Sequence, residues 1–152
     1  MTWESRVPAV LDALVSLWGA VPELADIVLD GPIPVDSAAM EALSVGDDDD
    51  DDGISTEGLL SAEGMGSRPD REQFTVSCVI AVMDGANDMR AARLRAFDLL
   101  SAAAEALATN RTLGGVVMRA HVQGLSLRQL QTNGGALARV LFTVACDGYT
   151  LR

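Results

Sequence analysis

The stretch from Gln73 to Met83 constrains this chain more than any other. Phe74, Val76, Cys78, Ile80 and Val82 fall at every second position, and Gln73, Thr75 and Ser77 lie between them. A period of two puts alternate side chains on opposite faces of a strand. From Val79 onward both faces are apolar, as in a strand covered on both sides, so this strand is expected at the centre of a sheet. Its opening, Phe-Thr-Val-Ser-Cys at 74–78, is echoed by Phe-Thr-Val-Ala-Cys at 142–146, with no longer repeat around either copy. The second strand is expected to bury Val140, Phe142, Val144 and Cys146 and to turn out Arg139, Thr143 and Asp147.

Between the two echoes the period changes. Asp84-Gly85 ends the first strand, Asn87 or Asp88 caps the next element, and Met89 to Asn110 reads as a helix roughly 33 Å long. Phe97, Leu100, Ala104 and Leu107 have the spacing of a buried stripe, with Arg90, Arg93, Arg95, Asp98 and Glu105 off it. Alternation resumes after Leu113-Gly114-Gly115: Val116, Met118, Ala120 and Val122 stand opposite Val117, Arg119, His121 and Gln123. Gly124 marks a bulge or bend before Leu125 and Leu127, and Asn133-Gly134-Gly135 is a hairpin turn, since these residues tolerate positive φ.

The first part of the chain is less regular. Val7, Val10, Leu11, Leu14, Val15 and Trp18 share one face of a helix over Ser5–Gly19, with Ser5 as cap and Pro8 in the first turn. Ile27-Val28-Leu29 is a short strand delivering the Asp30-Gly31-Pro32 turn, and Ala42 to Val45 is a second one. Gly46 and six consecutive aspartates then break all regularity, and a mobile loop is expected over about 46–72, with Leu59 and Leu60 on a short strand inside it. The whole predicts one α+β domain over residues 1–152: an antiparallel sheet packed by an N-terminal and a long central helix, with a long acidic loop.

Size and charge exclude several classes. A chain of 152 residues supports one core and buries roughly 68–70% of its unfolded surface. No apolar run reaches the roughly 18 residues of a membrane span, and the N-terminus lacks the basic lead and apolar centre of a signal peptide. Residence in the cytoplasm during synthesis is expected. The formal net charge of −11 disfavours phosphate backbones, so sequence-specific nucleic-acid binding is not expected.

Each candidate for chemistry has a plainer reading. Asp48, Asp50, Asp52 and Gly53 match the first half of an EF-hand loop, but the closing Glu position holds Leu59 and Glu57 comes two residues early. His121 is the single histidine; on the polar side of a strand it reads as a surface or interface residue. Cys78 and Cys146 lie on core faces, where reduced buried thiols are the plain reading and a disulfide requires neighbouring strands. Leu113-Gly114-Gly115 lacks the Lys-Ser/Thr of a phosphate loop and reads as a turn needing positive φ. Trp3, Trp18, Phe74, Phe97 and Phe142 read as core filling. No catalytic residue, cofactor or metal is assigned.

In layout and short motifs the chain resembles the tail terminator proteins of long-tailed, non-contractile phages, especially those of actinobacteria. The resemblance covers nearly the whole chain. It is carried by Asp30-Gly31-Pro32, Val45-Gly46, Arg71-Glu72, Arg93, Thr112-Leu113-Gly114-Gly115 and Gln131-Thr132-Asn133-Gly134. It implies a non-enzymatic virion subunit that forms a homohexameric ring, caps the tail tube, ends its polymerisation and offers the surface that joins the head. Tail tube protein and a head-closure or adaptor protein of the neck would be its partners, and DNA would pass through unread. Arg93, Arg95, Arg119, His121 and Gln123 are the candidate interface; Asp47, Asp48, Asp49, Asp50, Asp51 and Asp52 are placed on a loop at the lumen or rim. The alternatives are a neck adaptor or tube subunit and, from another class, a small divalent-metal enzyme using the acidic loop.

Overall fold

A computed structural model describes residues 3–34, 39–47, 54–62 and 69–151. Their order is α1 (Val7–Gly19), β1 (Val28–Asp30), β2 (Glu41–Val45), β3 (Thr56–Ala62), β4 (Asp70–Asp84), α2 (Met89–Thr109), β5 (Arg119–Thr132) and β6 (Gly135–Tyr149). The strands form a six-stranded sheet in the order β1-β2-β4-β6-β5, with β3 also paired to β4. The class is α+β as expected, but the sheet is mixed: β1 runs parallel to β2 while every other pair is antiparallel. A parallel pair cannot be joined by a hairpin, which is why β1 and β2 leave no local signature.

Strand β4 is central, as its double apolar face requires. Its Phe74, Val76, Cys78, Ile80 and Val82 join Ala138, Val140, Phe142, Val144 and Cys146 of β6 in one core against the helices. Helix α1 contributes Val10, Leu14 and Trp18, all fully buried. Trp18 packs edge-on to Phe142, ring centroids 5.9 Å apart, and its indole N–H donates to the Ala103 carbonyl of α2 at 3.0 Å. A single side chain thus ties both helices to the sheet. On α2 the buried stripe is Ala92, Ala96, Leu99, Leu100, Ala103 and Leu107, rotated from the expected one, so that Phe97 and Ala104 are half-buried. Small alanines face the sheet closely and push the bulky Phe97 to the flank. Asp88 caps this helix by accepting from Ala91 N–H at 3.1 Å.

The expected loop over 46–72 is corrected by the structure. Seven of its residues form β3, paired with β4 from Thr56↔Val76 to Ala62↔Asp70, and β4 itself begins at Asp70. Strands β2 and β3 therefore lie end to end along one edge of β4, beside Cys78–Val82 and Asp70–Val76 respectively. The chain leaves and re-enters that edge at one residue. Gly46 and Asp47 N–H both donate to the Ser77 carbonyl at 2.9 Å, and Ser77 N–H donates to Ser55 O at 2.9 Å. The Ser55 hydroxyl donates back to Gly46 O, and Gly46 takes a φ of +82°, a value suited to glycine.

The termini are strapped together. Glu4 and Leu151 form a two-bond antiparallel bridge. Glu72, 5% exposed, accepts from Arg6 N–H at 2.7 Å and from the Ser5 hydroxyl. Ser5 is thus diverted to the carboxylate while still accepting from Val7 N–H at 3.1 Å, and the residue at the cap position is Arg6. Trp3, expected in the core, is 45% exposed and donates to Asp70 at 3.2 Å. Among the described residues, no helix is long and apolar enough to cross a membrane.

Candidate functional site

The face of the sheet turned away from the helices carries the polar residues of each alternating strand. Register aligns them in rungs. One rung runs Leu59, Gln73, Asp147, Arg119 across β3, β4, β6 and β5; the next runs Glu57, Thr75, Ala145, His121. Together with Gln123, which stands opposite Thr143, these residues line an open groove of about 640 Å³. Its floor is made of short side chains, Thr75 and Ala145, while longer ones rise from β3 and β5.

The groove carries one charge on each side and a carboxylate between them. Glu57 stands on β3 and Arg119 on β5, with Asp147 between Arg119 and Arg71. Arg71 grips Asp147 with two bonds, Nε to Oδ1 at 3.1 Å and Nη2 to Oδ2 at 2.7 Å. That grip, aided by the nearby Arg119 charge, holds the Asp147 carboxyl below the usual carboxylate range. The Thr143 hydroxyl donates to Gln123 O just before the bulge at Gly124, where φ is +68°. The Nδ1 atom of His121 is buried with no hydrogen-bond partner among the described residues.

At the other end of the same face the groove is closed off. Ser44 and Val79 are fully buried there, and Asp47 accepts from Ile33 N–H at 3.3 Å and from the Ser44 hydroxyl at 3.3 Å. The first aspartate of the run is therefore a structural residue anchoring the Gly31–Pro34 turn. Asp48 to Asp52 and Gly53 lie outside the described residues, and with them the half EF-hand; Leu59, at its closing position, is on β3 and 76% exposed.

The five candidate interface residues divide into two groups. Arg119, His121 and Gln123 stand together on the groove wall. Arg93 and Arg95 are on α2, across the sheet, and both are engaged within the chain: Arg93 Nη1 donates to Gln129 Oε1 at 2.8 Å, and Arg95 makes two bonds to Glu41 at 2.6 and 3.2 Å. The Glu41 carboxylate raises the Arg95 guanidinium above its ordinary value. Gln73 and Thr75 were legible as the polar side of β4. Glu57 and Leu59 were not, because β3 has no alternation.

The thiols are far from reactive. Cys78 and Cys146 are buried and free, and burial pushes each up to about 12, so at neutral pH neither is a thiolate nucleophile. Their strands are neighbours, but Cys78 stands opposite Phe142 and Cys146 opposite Phe74, which offsets the two sulfurs along the ladder and leaves no disulfide geometry. Leu113, Gly114 and Gly115 take φ of 51°, 70° and 91°, the positive-φ turn expected for that segment. The groove's amides, hydroxyls, imidazole and guanidinium form a surface able to hydrogen-bond another chain.

No protein-family model matches the sequence, and no curated protein matches it. Among solved structures, the chain is similar to one from the virion of a native gene transfer agent particle, at 12% identity and a TM-score of 0.39. The likeness covers 90% of this chain and 84% of that one.

Proposed function

We propose that this chain is a structural virion protein of the tail-terminator kind: a homohexameric ring that caps the tail tube, ends its polymerisation and presents the surface to which the head is joined. The observation that carries the reading is the order of its short motifs along the whole chain. Asp30-Gly31-Pro32 ends β1, Val45-Gly46 ends β2, Arg71-Glu72 opens β4, Arg93 lies on α2, Thr112–Gly115 is the turn before β5, and Gln131–Gly134 is the hairpin tip. Apart from Arg93, which lies within α2, each sits where the chain changes direction or enters an element, the positions that define a fold's layout. A polar groove with Glu57 on one side and Arg119 on the other supports a subunit that works by contact. Ending a polymer needs no chemistry, only a ring that matches the tube on one face and differs on the other.

In this reading the ring's neighbours are the tail tube protein and a head-closure or adaptor protein of the neck, its location is the virion, and DNA passes through without being read. Deleting the gene and imaging the lysate by electron microscopy tests it. Free heads beside tails of abnormal, irregular length are expected. Uniform tails joined to heads would rule the reading out, and normal-length tails without heads would assign the chain to head closure.

A further inference from the structure

The charges of this chain are segregated along its length. Between Val7 and Ser67 lie fourteen acidic residues and no basic one; between Ala106 and Cys146 lie Arg111, Arg119, Arg128 and Arg139 and no acid. Among the described residues the fold converts this into a lateral polarity, with Asp12, Glu23, Asp26, Asp30, Glu41, Asp47 and Glu57 on the side of α1 and β1 to β3 and the four arginines on the side of β5 and β6. The first segment supplies α1, β1, β2 and β3, the second β5 and most of β6, and the strand order puts them at opposite ends of the sheet.

Those ends are also open edges. Among the described residues β3 pairs only with β4, and its Leu59 and Leu60 are 76% and 53% exposed. Strand β5 pairs only with β6; near its start the Ala120 N–H is taken by Arg111 O at 2.7 Å, but from Leu125 to Gln131 every residue is exposed, Leu125 by 54% and Leu130 by 46%. An edge bearing apolar side chains is a template for a further strand unless something covers it.

We propose that the cover is a second copy of this chain, with β5 from Leu125 to Thr132 pairing with β3 of the next copy and Arg128 facing the acidic segment. The ladder polarities allow it. Strands β4 and β5 run one way and β3 and β6 the other, so copies set head to tail bring β5 and β3 together antiparallel. Because β3 lies beside Asp70–Val76 and Leu125–Gln131 lies level with Cys78–Asp84, successive sheets are offset along the strands, the stagger that closed barrels use. Such a contact is heterologous and closes when its rotation permits; it deepens the ring reading and rests on it.

Covalent capture of the full chain tests the pairing. The Leu59→Cys/Leu130→Cys variant, treated with a short bismaleimide, should give a ladder of covalent oligomers, whereas each single variant gives none and the two singles mixed give dimers only. Native Cys78 and Cys146 are buried and serve as silent controls. Arg128→Glu should slow ladder growth several-fold, as should added salt. Absence of the ladder, or a ladder indifferent to Arg128→Glu, overturns the pairing. Six-fold rings seen by mass photometry without the ladder overturn it while leaving the ring reading intact; a ladder closing at another number does the reverse.

Discussion

Val76 stands directly opposite Val144, and around that pair the two matching pentapeptides run antiparallel, Phe74 beside Cys146 and Cys78 beside Phe142. The echo in the sequence is thus a contact in space: two copies of one pattern form the centre of the sheet, with each aromatic ring beside the other strand's thiol. Large and small partners alternate on the core face, as close packing against the helices favours.

Trp18 should dominate the stability of the helix layer. Trp18→Ala removes the contact with Phe142 and the bond to Ala103, and is expected to cost about 3–5 kcal/mol; Trp18→Phe, which loses the N–H but keeps a ring, about 1–2 kcal/mol. Urea unfolding measures both, and a loss below about 1 kcal/mol for the alanine variant would contradict the packing described.

The Arg71–Asp147 pair gives a pH dependence of known sign. Asp147 is held below its unfolded value of about 3.9, so the pair's contribution is complete above that value and disappears as the pH falls through the lower folded one. For a pair this exposed, Asp147→Asn should cost only about 0.2–1 kcal/mol at pH 7, and the difference from the parent should shrink as the pH drops below about 3.9. Urea midpoints across that range decide it; a difference that stays constant contradicts the assignment.

Both thiols should be silent in the folded protein. With Cys78 and Cys146 pushed up to about 12, a maleimide or aromatic disulfide reagent at pH 8 is expected to label neither until denaturant is added, when two equivalents react. Rapid labelling of either under native conditions would show that the β4–β6 centre opens.

The six aspartates should behave unequally. Asp47→Ala removes the acceptor of Ile33 N–H and the Ser44 hydroxyl and is expected to cost about 1 kcal/mol. Replacing Asp48 to Asp52 together by Asn removes repulsion between like charges and should leave the melting temperature unchanged or higher. If the fivefold variant melts several degrees lower, the run contributes to the fold.

The long elements were legible because each has a buried and an open side over many residues: β4, β6, α1, α2 and the hairpin turn all show their period directly. Strand β3 was legible only as the pair Leu59-Leu60, since six of its seven residues are exposed and no buried face imposes alternation on Thr-Glu-Gly-Leu-Leu-Ser-Ala. The same reason hid half of the groove. Arg119, His121 and Gln123 were visible as the polar side of β5, whereas Glu57 and Leu59 reach the groove only through long-range pairing. The helix stripe held at Leu100 and Leu107 but buries Ala96 and Ala103 in place of Phe97 and Ala104, because alanine gives little contrast between faces, and Trp3 differs because one aromatic near a terminus carries no period.

The clasp at Ser77 returns the chain, at Ser55, to the strand edge that it left at Gly46. Gly46 and Ser55 are bonded to each other and to the same residue of β4, so the two meet whatever length of chain lies between them. Loop closure becomes costlier only slowly with length, each doubling adding about 0.6 kcal/mol. An epitope or a small folded reporter spliced in between Asp47 and Ile54 is therefore expected to leave the registers of β2 and β3 on β4 unchanged.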